Sequence, residues 1–256
     1  MFRYKTNLNL DLTLSCGQCF RWTENAGVWR GIVKGIEAEI YRDGEFLVFE
    51  NVSRETFERV FYDYFDFGRD YSAIEKIICE DENVQNSVEK YGNLRILRQD
   101  SFEALISFII SACNNIPRIS SIVTKLCENF GENASFPTPE TLAKLTESDL
   151  AVLHAGYRVP YIMDAAKKVY YGEIDFDELN QLDTDTVRKK LMTIYGVGRK
   201  VADCTMLFGM NRLEVFPVDR HIKRICAELY PDGLPECFRD YGGLAQQYLF
   251  VEQRTK

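Results

Sequence analysis

The sequence has 256 residues, of which 46% are apolar and 27% are charged, and its net charge is −8 at pH 7. This composition excludes a disordered chain and supplies enough apolar surface for one large or two small cores. The longest apolar stretch, Leu105–Cys113, is interrupted by Ser107 and Ser111 and is much shorter than the roughly 20 residues that span a bilayer. The first residues lack the apolar segment of a signal peptide. We therefore expect a cytoplasmic protein with no membrane contact.

The charge is spread unevenly along the chain. The segment from Arg188 to Arg224 has nine Lys or Arg and three Asp or Glu, so it carries +6 while the rest of the chain carries −14. An acidic protein with one basic segment is typical of a localised contact with phosphate groups. A solvated basic face is the alternative interpretation of the same count.

The eight cysteines are expected to be reduced thiols, because no export signal precedes them. Cys16 and Cys19 form a C-x-x-C pair, but no second pair follows at the spacing of a zinc site. The other cysteines are scattered, which argues against an iron–sulfur cluster. We therefore predict neither a metal site nor an organic cofactor.

The N-terminal region has the composition of a sheet. Short segments rich in β-branched and aromatic residues predict strands at Trp29–Val33, Ala38–Tyr41 and Phe46–Phe49. Asp43-Gly44 between the last two is a strong hairpin signal, so we expect an antiparallel meander. After Ser53 the apolar residues recur at helical spacing, which predicts a helix packed on the sheet.

From about residue 100 onward the apolar spacing is helical. The predicted helices are Ser101–Ala112, Ile119–Asn129, Pro139–Leu145, Asp149–His154 and Val159–Tyr170. Thr138 before Pro139 predicts an N-cap followed by a proline in the first turn. The predicted fold class is α+β, with an N-terminal antiparallel β-sheet domain with helices at residues 1–97 and an all-α domain at residues 98–256.

The most informative segment is Leu191–Cys204 (LMTIYGVGRKVADC). It predicts a helix up to Ile194, a tight turn at Gly196, Val197 and Gly198, and a second helix directly after them. Both glycines are expected to allow positive φ, and the amides at the start of the second helix favour an anion. We interpret residues 187–210 as a helix-hairpin-helix that binds a DNA phosphate, with an ordinary helical hairpin as the alternative.

Lys200 stands just inside the second helix, where the helix dipole disfavours a cation. A neutral amine in this position can attack a sugar carbon and form a Schiff base. Nineteen residues later, Asp219 follows Pro217 in the segment Val215–His221 (VFPVDRH) and is expected to cap the next helix. The same carboxylate can stabilise positive charge on a deoxyribose as its base leaves.

The stretch from Leu191 to Ile225 resembles the helix-hairpin-helix DNA glycosylase superfamily, with its Gly-Val-Gly turn and a downstream Val-Asp. The lysine at position 200 is typical of the branches that combine glycosylase and lyase activities. The alkyl-base branch lacks that lysine, and the endonuclease III branch usually carries a four-cysteine cluster that is absent from this sequence.

Further segments are similar to the 8-oxoguanine DNA glycosylase family along nearly the whole chain. These segments are Ser15–Trp22 (SCGQCFRW), Cys113–Arg118 (CNNIPR), Gly156–Arg158 (GYR) and Ala245–Phe250 (AQQYLF). The resemblance implies an enzyme that flips 8-oxoguanine out of double-stranded DNA, preferably opposite cytosine, and acts as a monomer. A glycosylase for other damaged bases and a non-catalytic DNA-binding module are the alternatives.

The resemblance also implies roles for individual residues around the flipped base. Lys200 would be the nucleophile and Asp219 its acidic partner, while the Gly17 carbonyl would accept a hydrogen bond from N7–H, a donor that guanine lacks. Cys204 and Phe250 would lie against the two faces of the base. Gln246 would meet its Watson–Crick edge, and His221 would meet a nearby phosphate.

On the opposite strand, the resemblance assigns Arg118 and Arg158 to the estranged cytosine and Tyr157 to the wedge beside it. The family usually has three consecutive Asn before Ile, but here the first of them is Cys113. Because a thiol is a poor hydrogen-bonding substitute for an amide, a weaker grip on the opposite strand is expected.

Overall fold

The computed structural model describes residues 1–254 and begins with a five-stranded antiparallel sheet. The strand order is β1-β5-β4-β3-β2. The strands are β1 (Phe2–Lys5), β2 (Trp22–Asn25), β3 (Val28–Val33), β4 (Ile36–Asp43) and β5 (Phe46–Phe49). The predicted meander is confirmed for its three strands, and the sequence analysis missed β1 and β2.

Tight turns set the register of the sheet. Asp43 pairs with Phe46 across a turn in which Gly44 has φ +56°, a left-handed conformation that glycine adopts without steric cost. The predicted Asp-Gly hairpin is therefore confirmed.

A helical segment follows the sheet and covers one face of it. It consists of α2 (Arg54–Thr56), a π-helical turn (Phe57–Phe61) and α3 (Tyr62–Tyr64). The rings of Phe57 and Phe61 lie 5.0 and 5.5 Å from that of Phe49 on β5, at tilted or edge-on angles that favour aromatic packing. The predicted helix on the sheet is thus confirmed.

The other helices follow this segment in the described chain, except for α1, a short helix that lies before β2. The helices are α1 (Leu10–Ser15), α4 (Tyr71–Ile78), α5 (Glu82–Tyr91), α6 (Ser101–Ser111), α7 (Ile116–Phe130), α8 (Pro139–Ala143), α9 (Val159–Tyr170), α10 (Phe176–Leu179), α11 (Thr184–Leu191), α12 (Arg199–Gly209), α13 (Arg220–Leu229) and α14 (Gly242–Arg254). Short 3-10 segments at Glu132–Ala134, Asp149–Leu153, Gly156–Arg158 and Glu236–Phe238 connect some of them.

Two of the predicted helices need correction. Asp149–Leu153 is a 3-10 helix that ends because His154 has φ +52°, which no right-handed helix continues. The helix predicted up to Ile194 ends at Leu191, since Met192 and the residues after it close turns onto the carbonyls of the last helical turn. Thr138 caps α8 as predicted, because its side chain accepts from the backbone N–H of Thr141 at 3.1 Å.

Apolar side chains form two separate cores. One lies between the sheet and the α2–α3 segment, and the other fills the helical part of the molecule. The second core also takes in Ile74, Val84 and Ile96, so α4 and α5 pack with the helical part. The domain boundary near residue 97 remains a prediction. Within residues 1–254, no helix combines the length and the apolarity needed to cross a membrane.

Candidate active site

The helix-hairpin-helix consists of α11, a turn and α12. Gly196 has φ +78°, and a Cβ added there would lie 2.3 Å from the ring of Tyr161. Only glycine satisfies both conditions, so the predicted need for a glycine is confirmed at this position. Gly198 differs from the prediction, because its φ is −95° and its ψ is 179°, an extended conformation open to any residue.

The N-terminus of α12 is open. Gly198 is its N-cap and has no side chain that can satisfy the first amides of the helix. The Val197 side chain is buried, and its N–H is bonded to the Ile194 carbonyl, so Val197 supports the turn from inside. Free amides therefore begin after the turn, where the dipole attracts an anion.

Lys200 on α12 reaches across to α6. Its Nζ donates to Ser111 Oγ at 3.1 Å and lies 5.1 Å from the centre of the Phe108 ring. The Ser111 hydroxyl in turn donates to the Phe108 carbonyl at 2.7 Å. The sequence analysis missed both contacts, although the interruption of an apolar stretch at Ser111 was visible. The amine is thereby held half-buried at a fixed place.

Cys204 lies one turn after Lys200 on the same face of α12 and is buried. Burial raises the pKa of its thiol to about 11, and the neighbouring Lys200 opposes that rise while Asp219 adds to it. Both predicted catalytic residues therefore lie near one thiol, which stays protonated and apolar in character.

Asp219 is the N-cap of α13, as predicted. Its Oδ1 accepts from the Ile222 N–H at 2.8 Å. In the described part of the chain, neither Asp219 nor Lys200 forms an ion pair. The second carboxylate oxygen thus has no protein cation to neutralise it, which leaves its charge available to a positively charged sugar.

Gly17 and Phe250 meet on the other side of the site. Gly17 has φ +87°, and a Cβ added there would lie 3.8 Å from the Phe250 ring and 3.3 Å from Ile116 Cδ1. Arg254 covers Phe250 with its guanidinium 5.7 Å from the ring centre and donates to the Ser15 carbonyl at 3.2 Å. The fold therefore joins three predicted motifs, at residues 15–22, 113–118 and 245–250, around one glycine.

Phe108 connects this group to the lysine. Its ring lies 5.8 Å from that of Phe20, three residues after Gly17, and its face is directed at Lys200 Nζ. Phe108 is thus a neighbour both of Lys200 and of the motif at residues 15–22, a link that the sequence did not predict.

Gln246 is buried on α14, one turn before Phe250. Its Oε1 accepts from Nε2 of the adjacent Gln247 at 2.8 Å, while Oε1 of Gln247 is buried with no partner. This bond holds the Gln246 carboxamide by its oxygen.

The predicted opposite-strand residues lie in two adjoining segments, the junction between α6 and α7 and the 3-10 segment Gly156–Arg158. Cys113 is exposed and has φ +51°. Arg118 is exposed in the first turn of α7, and its Nη2 donates to the His154 carbonyl at 3.4 Å. Tyr157 is 54% exposed, and its hydroxyl donates to the Ala112 carbonyl at 3.2 Å; its role as a wedge remains a prediction.

Arg158 is placed differently from a free surface arginine, because it is only 3% exposed. Its guanidinium donates to the carbonyls of Ala112, Ala155 and Cys113 and lies 4.4 Å from the Tyr157 ring centre. These bonds fix the loop from which Tyr157 projects. A direct contact with cytosine requires Arg158 to exchange a carbonyl for the base, and that role remains a prediction.

The remaining predicted residues lie at the edges of the site. His221 is exposed in the first turn of α13, beside Asp219. Cys16 and Cys19 are both buried, and burial raises the pKa of each thiol, that of Cys16 to about 11. Within residues 1–254, no group of three or more His, Cys, Asp or Glu is arranged to hold a metal ion.

Two family descriptions match this chain. Residues 1–105 match the 8-oxoguanine DNA glycosylase, N-terminal domain, and residues 106–233 match the HhH-GPD superfamily base excision DNA repair protein. The hairpin, Lys200 and Asp219 all lie within the second match. Fold and site together define a base-excision DNA glycosylase of the helix-hairpin-helix class.

Individual relatives narrow this class. The N-glycosylase/DNA lyase of Saccharomyces cerevisiae is 38% identical over 183 residues, 64% of this chain and 46% of the yeast protein, so the matched part is about half of that relative. The probable N-glycosylase/DNA lyase of Methanothermobacter thermautotrophicus is 28% identical, with 97% of this chain and 94% of that protein covered.

Solved structures are similar along nearly the whole chain. The 8-oxoguanine glycosylase/lyase of Clostridium acetobutylicum, in complex with double-stranded DNA containing cytosine opposite 8-oxoguanine, superposes with a TM-score of 0.90 at 37% identity, covering 98% of this chain and 93% of that one. MBOgg1 in complex with a low-affinity DNA ligand gives 0.93 at 38% identity, covering 99% and 94%. This chain belongs to the 8-oxoguanine DNA glycosylase family.

Proposed function

We propose that this protein, acting as a monomer, removes 8-oxoguanine from double-stranded DNA and then cuts the backbone at the resulting site. The observation that carries the proposal is the position of Lys200, whose amine is held between Ser111 and Phe108 and next to Cys204. A DNA-binding module has no use for an amine fixed in this way behind a phosphate-binding turn.

The chemistry follows from these groups. As the glycosidic bond breaks, the base leaves with the bonding electrons, and positive charge develops on the sugar near the Asp219 carboxylate. The lone pair of the Lys200 nitrogen forms a bond to C1′, and the nitrogen passes one proton to the departing base. Protonation of O4′ by water then breaks the C1′–O4′ bond, which opens the sugar ring and leaves a protonated Schiff base. Loss of a proton from C2′ then expels the 3′ phosphate, which cuts the strand 3′ to the lesion.

Recognition of the base is assigned to the Gly17 carbonyl and the residues around it. 8-Oxoguanine has a proton on N7, whereas guanine presents a lone pair that repels a carbonyl oxygen. Phe250, which lies beside Gly17, and Cys204, which neighbours Lys200, supply apolar surfaces for the two faces of the base. Gln246 offers its amino group to the Watson–Crick edge.

On the opposite strand, we assign a preference for cytosine to Arg118, with Tyr157 as the wedge. The exposed guanidinium of Arg118 has a single long bond to protein, so it is free to donate to the N3 and O2 acceptors of cytosine. Arg158 is hydrogen-bonded to the Ala112 and Cys113 carbonyls, and it can contact the cytosine only if one of these bonds breaks.

A panel of duplexes tests the function. Each duplex carries 8-oxoguanine, guanine, an alkylated purine or an oxidised pyrimidine opposite each of the four bases, and strand cleavage is measured with and without heating in alkali. We expect cleavage of 8-oxoguanine without alkali, fastest opposite cytosine, and loss of the cytosine preference in Arg118→Ala. Preferred excision of another lesion would show that the protein is a glycosylase for that base. Binding without excision would show that it is a non-catalytic DNA-binding module.

A further inference from the structure

Gln18, directly after Gly17, is completely buried and fully hydrogen-bonded. Its Nε2 donates to the Thr13 carbonyl at 2.9 Å and to the Arg95 carbonyl at 2.8 Å. Its Oε1 accepts from the Leu97 N–H at 2.8 Å. A glutamine with 0% exposure and all these bonds is held in a single conformation.

The main chain of Gln18 is fixed as well. Its carbonyl accepts from Nε2 of Gln99 at 2.7 Å. The carbonyl of Gly17 belongs to the peptide plane that joins Gly17 to Gln18, so rotation of that plane needs coupled changes in Gly17 ψ and Gln18 φ. Because Gln18 is anchored through both side chain and main chain, the Gly17 carbonyl has one available direction.

The anchors connect recognition to catalysis. Arg95, Leu97 and Gln99 belong to the extended segment before α6, and the Gln99 N–H donates to the Phe208 carbonyl at 3.2 Å near the end of α12. The helix that carries Lys200 and the loop that carries Gly17 are therefore tied to the same short segment. A shift of either one relative to the other breaks a buried hydrogen bond.

We propose that Gln18 is a positioning residue that sets the direction of the Gly17 carbonyl and thereby the selectivity for a base with a proton on N7. This inference rests on the proposed role of Gly17. A main-chain acceptor has no side chain of its own to adjust, and glycine at positive φ is intrinsically mobile, so the precision must come from the residue that follows it.

A purely structural role makes a different prediction. If Gln18 only stabilised the fold, its loss would weaken every activity of the enzyme together. If it positions the Gly17 carbonyl, its loss affects excision of the base but spares reactions in which no base is recognised. Cleavage at a preformed abasic site is such a reaction, because it needs Lys200 and the phosphate contacts alone.

The experiment compares two substrates in Gln18→Leu, Gln99→Ala and wild type. For duplexes with 8-oxoguanine opposite cytosine, we expect kcat/KM to fall about tenfold or more in Gln18→Leu and less in Gln99→Ala, in line with the cost of a misplaced reacting group. Cleavage of a preformed abasic site and its borohydride trapping should stay within about threefold of wild type, a change equivalent to less than one hydrogen bond.

Tyr230→Phe is the matched control, since it removes a hydrogen bond of 2.8 Å to Asp81 at the C-terminal end of α13, opposite the end capped by Asp219. It should lower stability without changing the ratio of the two activities. Equal loss of both activities in Gln18→Leu overturns the proposal. If Gln18→Leu does not fold, an unchanged activity ratio in the milder Gln99→Ala overturns it instead. A wild type that excises guanine and 8-oxoguanine equally refutes the role of Gly17 itself, which separates the two failures.

Discussion

Lys200 and Ser111 are 89 residues apart in the chain, yet the serine hydroxyl is the hydrogen-bond partner of the lysine amine. We expect Lys200→Gln to abolish borohydride trapping on lesion DNA, because an amide has no nucleophilic lone pair on nitrogen. Binding of lesion duplex should persist, since the hairpin amides are untouched. Lys189, which is exposed on α11, is the control, and Lys189→Gln should be trapped on lesion DNA like wild type. Trapping of Lys200→Gln at the wild-type level excludes it as nucleophile.

Asp219 combines a structural bond with a charge. Asp219→Asn keeps an N-cap oxygen for the Ile222 N–H, so the free energy of unfolding should change by less than about 1 kcal/mol. Loss of the charge should slow base excision by about 10²-fold or more in single-turnover kinetics. Asp70→Asn alters the N-cap of α4 in the same way and should leave excision unchanged. A destabilised Asp219→Asn with normal excision would falsify the catalytic role.

Cys113 occupies a left-handed backbone conformation with φ +51°. Asparagine tolerates this region better than cysteine does and adds an amide beside the DNA. Cys113→Asn should therefore tighten binding to duplex containing 8-oxoguanine opposite cytosine by up to about 1 kcal/mol, the net value of one hydrogen bond. Cys113→Ala, which has neither property, should bind no more tightly than wild type. Binding isotherms at one fixed salt concentration give the affinity of each variant for the duplex. An equal increase in affinity in both variants would contradict the prediction.

At the scale of elements, the two hairpin glycines meet different structural requirements. Gly196→Ala places a Cβ at positive φ and 2.3 Å from the Tyr161 ring, so it should cost about 1–3 kcal/mol of stability and weaken binding to lesion and undamaged duplexes alike. Gly198→Ala meets nothing within 4 Å and has ordinary backbone angles, so its stability should change by less than about 1 kcal/mol. Denaturant titration of both variants checks this, and similar losses at the two positions would show that Tyr161 does not fix the turn.

At the scale of the whole molecule, a largely buried ion pair joins the strand region to the helical part. Arg21 Nη1 lies 3.2 Å from Glu103 Oε2, and Arg21 Nη2 donates to the Ala134 carbonyl at 2.7 Å. Burial raises the pKa of Glu103 from 4.5 to about 7, with Arg21 opposing the rise. The folded protein therefore binds this proton more tightly than the unfolded chain does.

Stability from Glu103 should thus be lost as pH rises between 4.5 and about 7, because in that window the folded state holds more protons than the unfolded state. Glu103→Gln cannot titrate, so its free energy of unfolding should depend less on pH across the window. Urea titrations of wild type and variant at several pH values measure the difference. Glu58→Gln, which removes an exposed partner of Arg54, is the control. Parallel pH profiles for wild type and Glu103→Gln contradict the prediction.

The sequence by itself determined the features that depend on neighbours along the chain. β-Branched and aromatic residues between turn signals located the meander, and helical spacing located most helices. Thr138 and Asp219 were recognisable as N-caps, and the Gly-Val-Gly turn marked the hairpin. These features rest on backbone hydrogen bonds between residues a few positions apart, and local residue types specify such bonds. The resemblance to a known family then linked the motifs to one activity.

Only the tertiary structure decided which groups meet. It brought Ser111 to Lys200 and Phe250 beside Gly17, and it buried Arg158 under the segment that carries Tyr157. It also showed Gln18 as an anchor for the Gly17 peptide. Such contacts join residues far apart in sequence, and they depend on how whole helices pack against each other. No local pattern encodes that packing, because the same glutamine or serine would serve equally well at the surface.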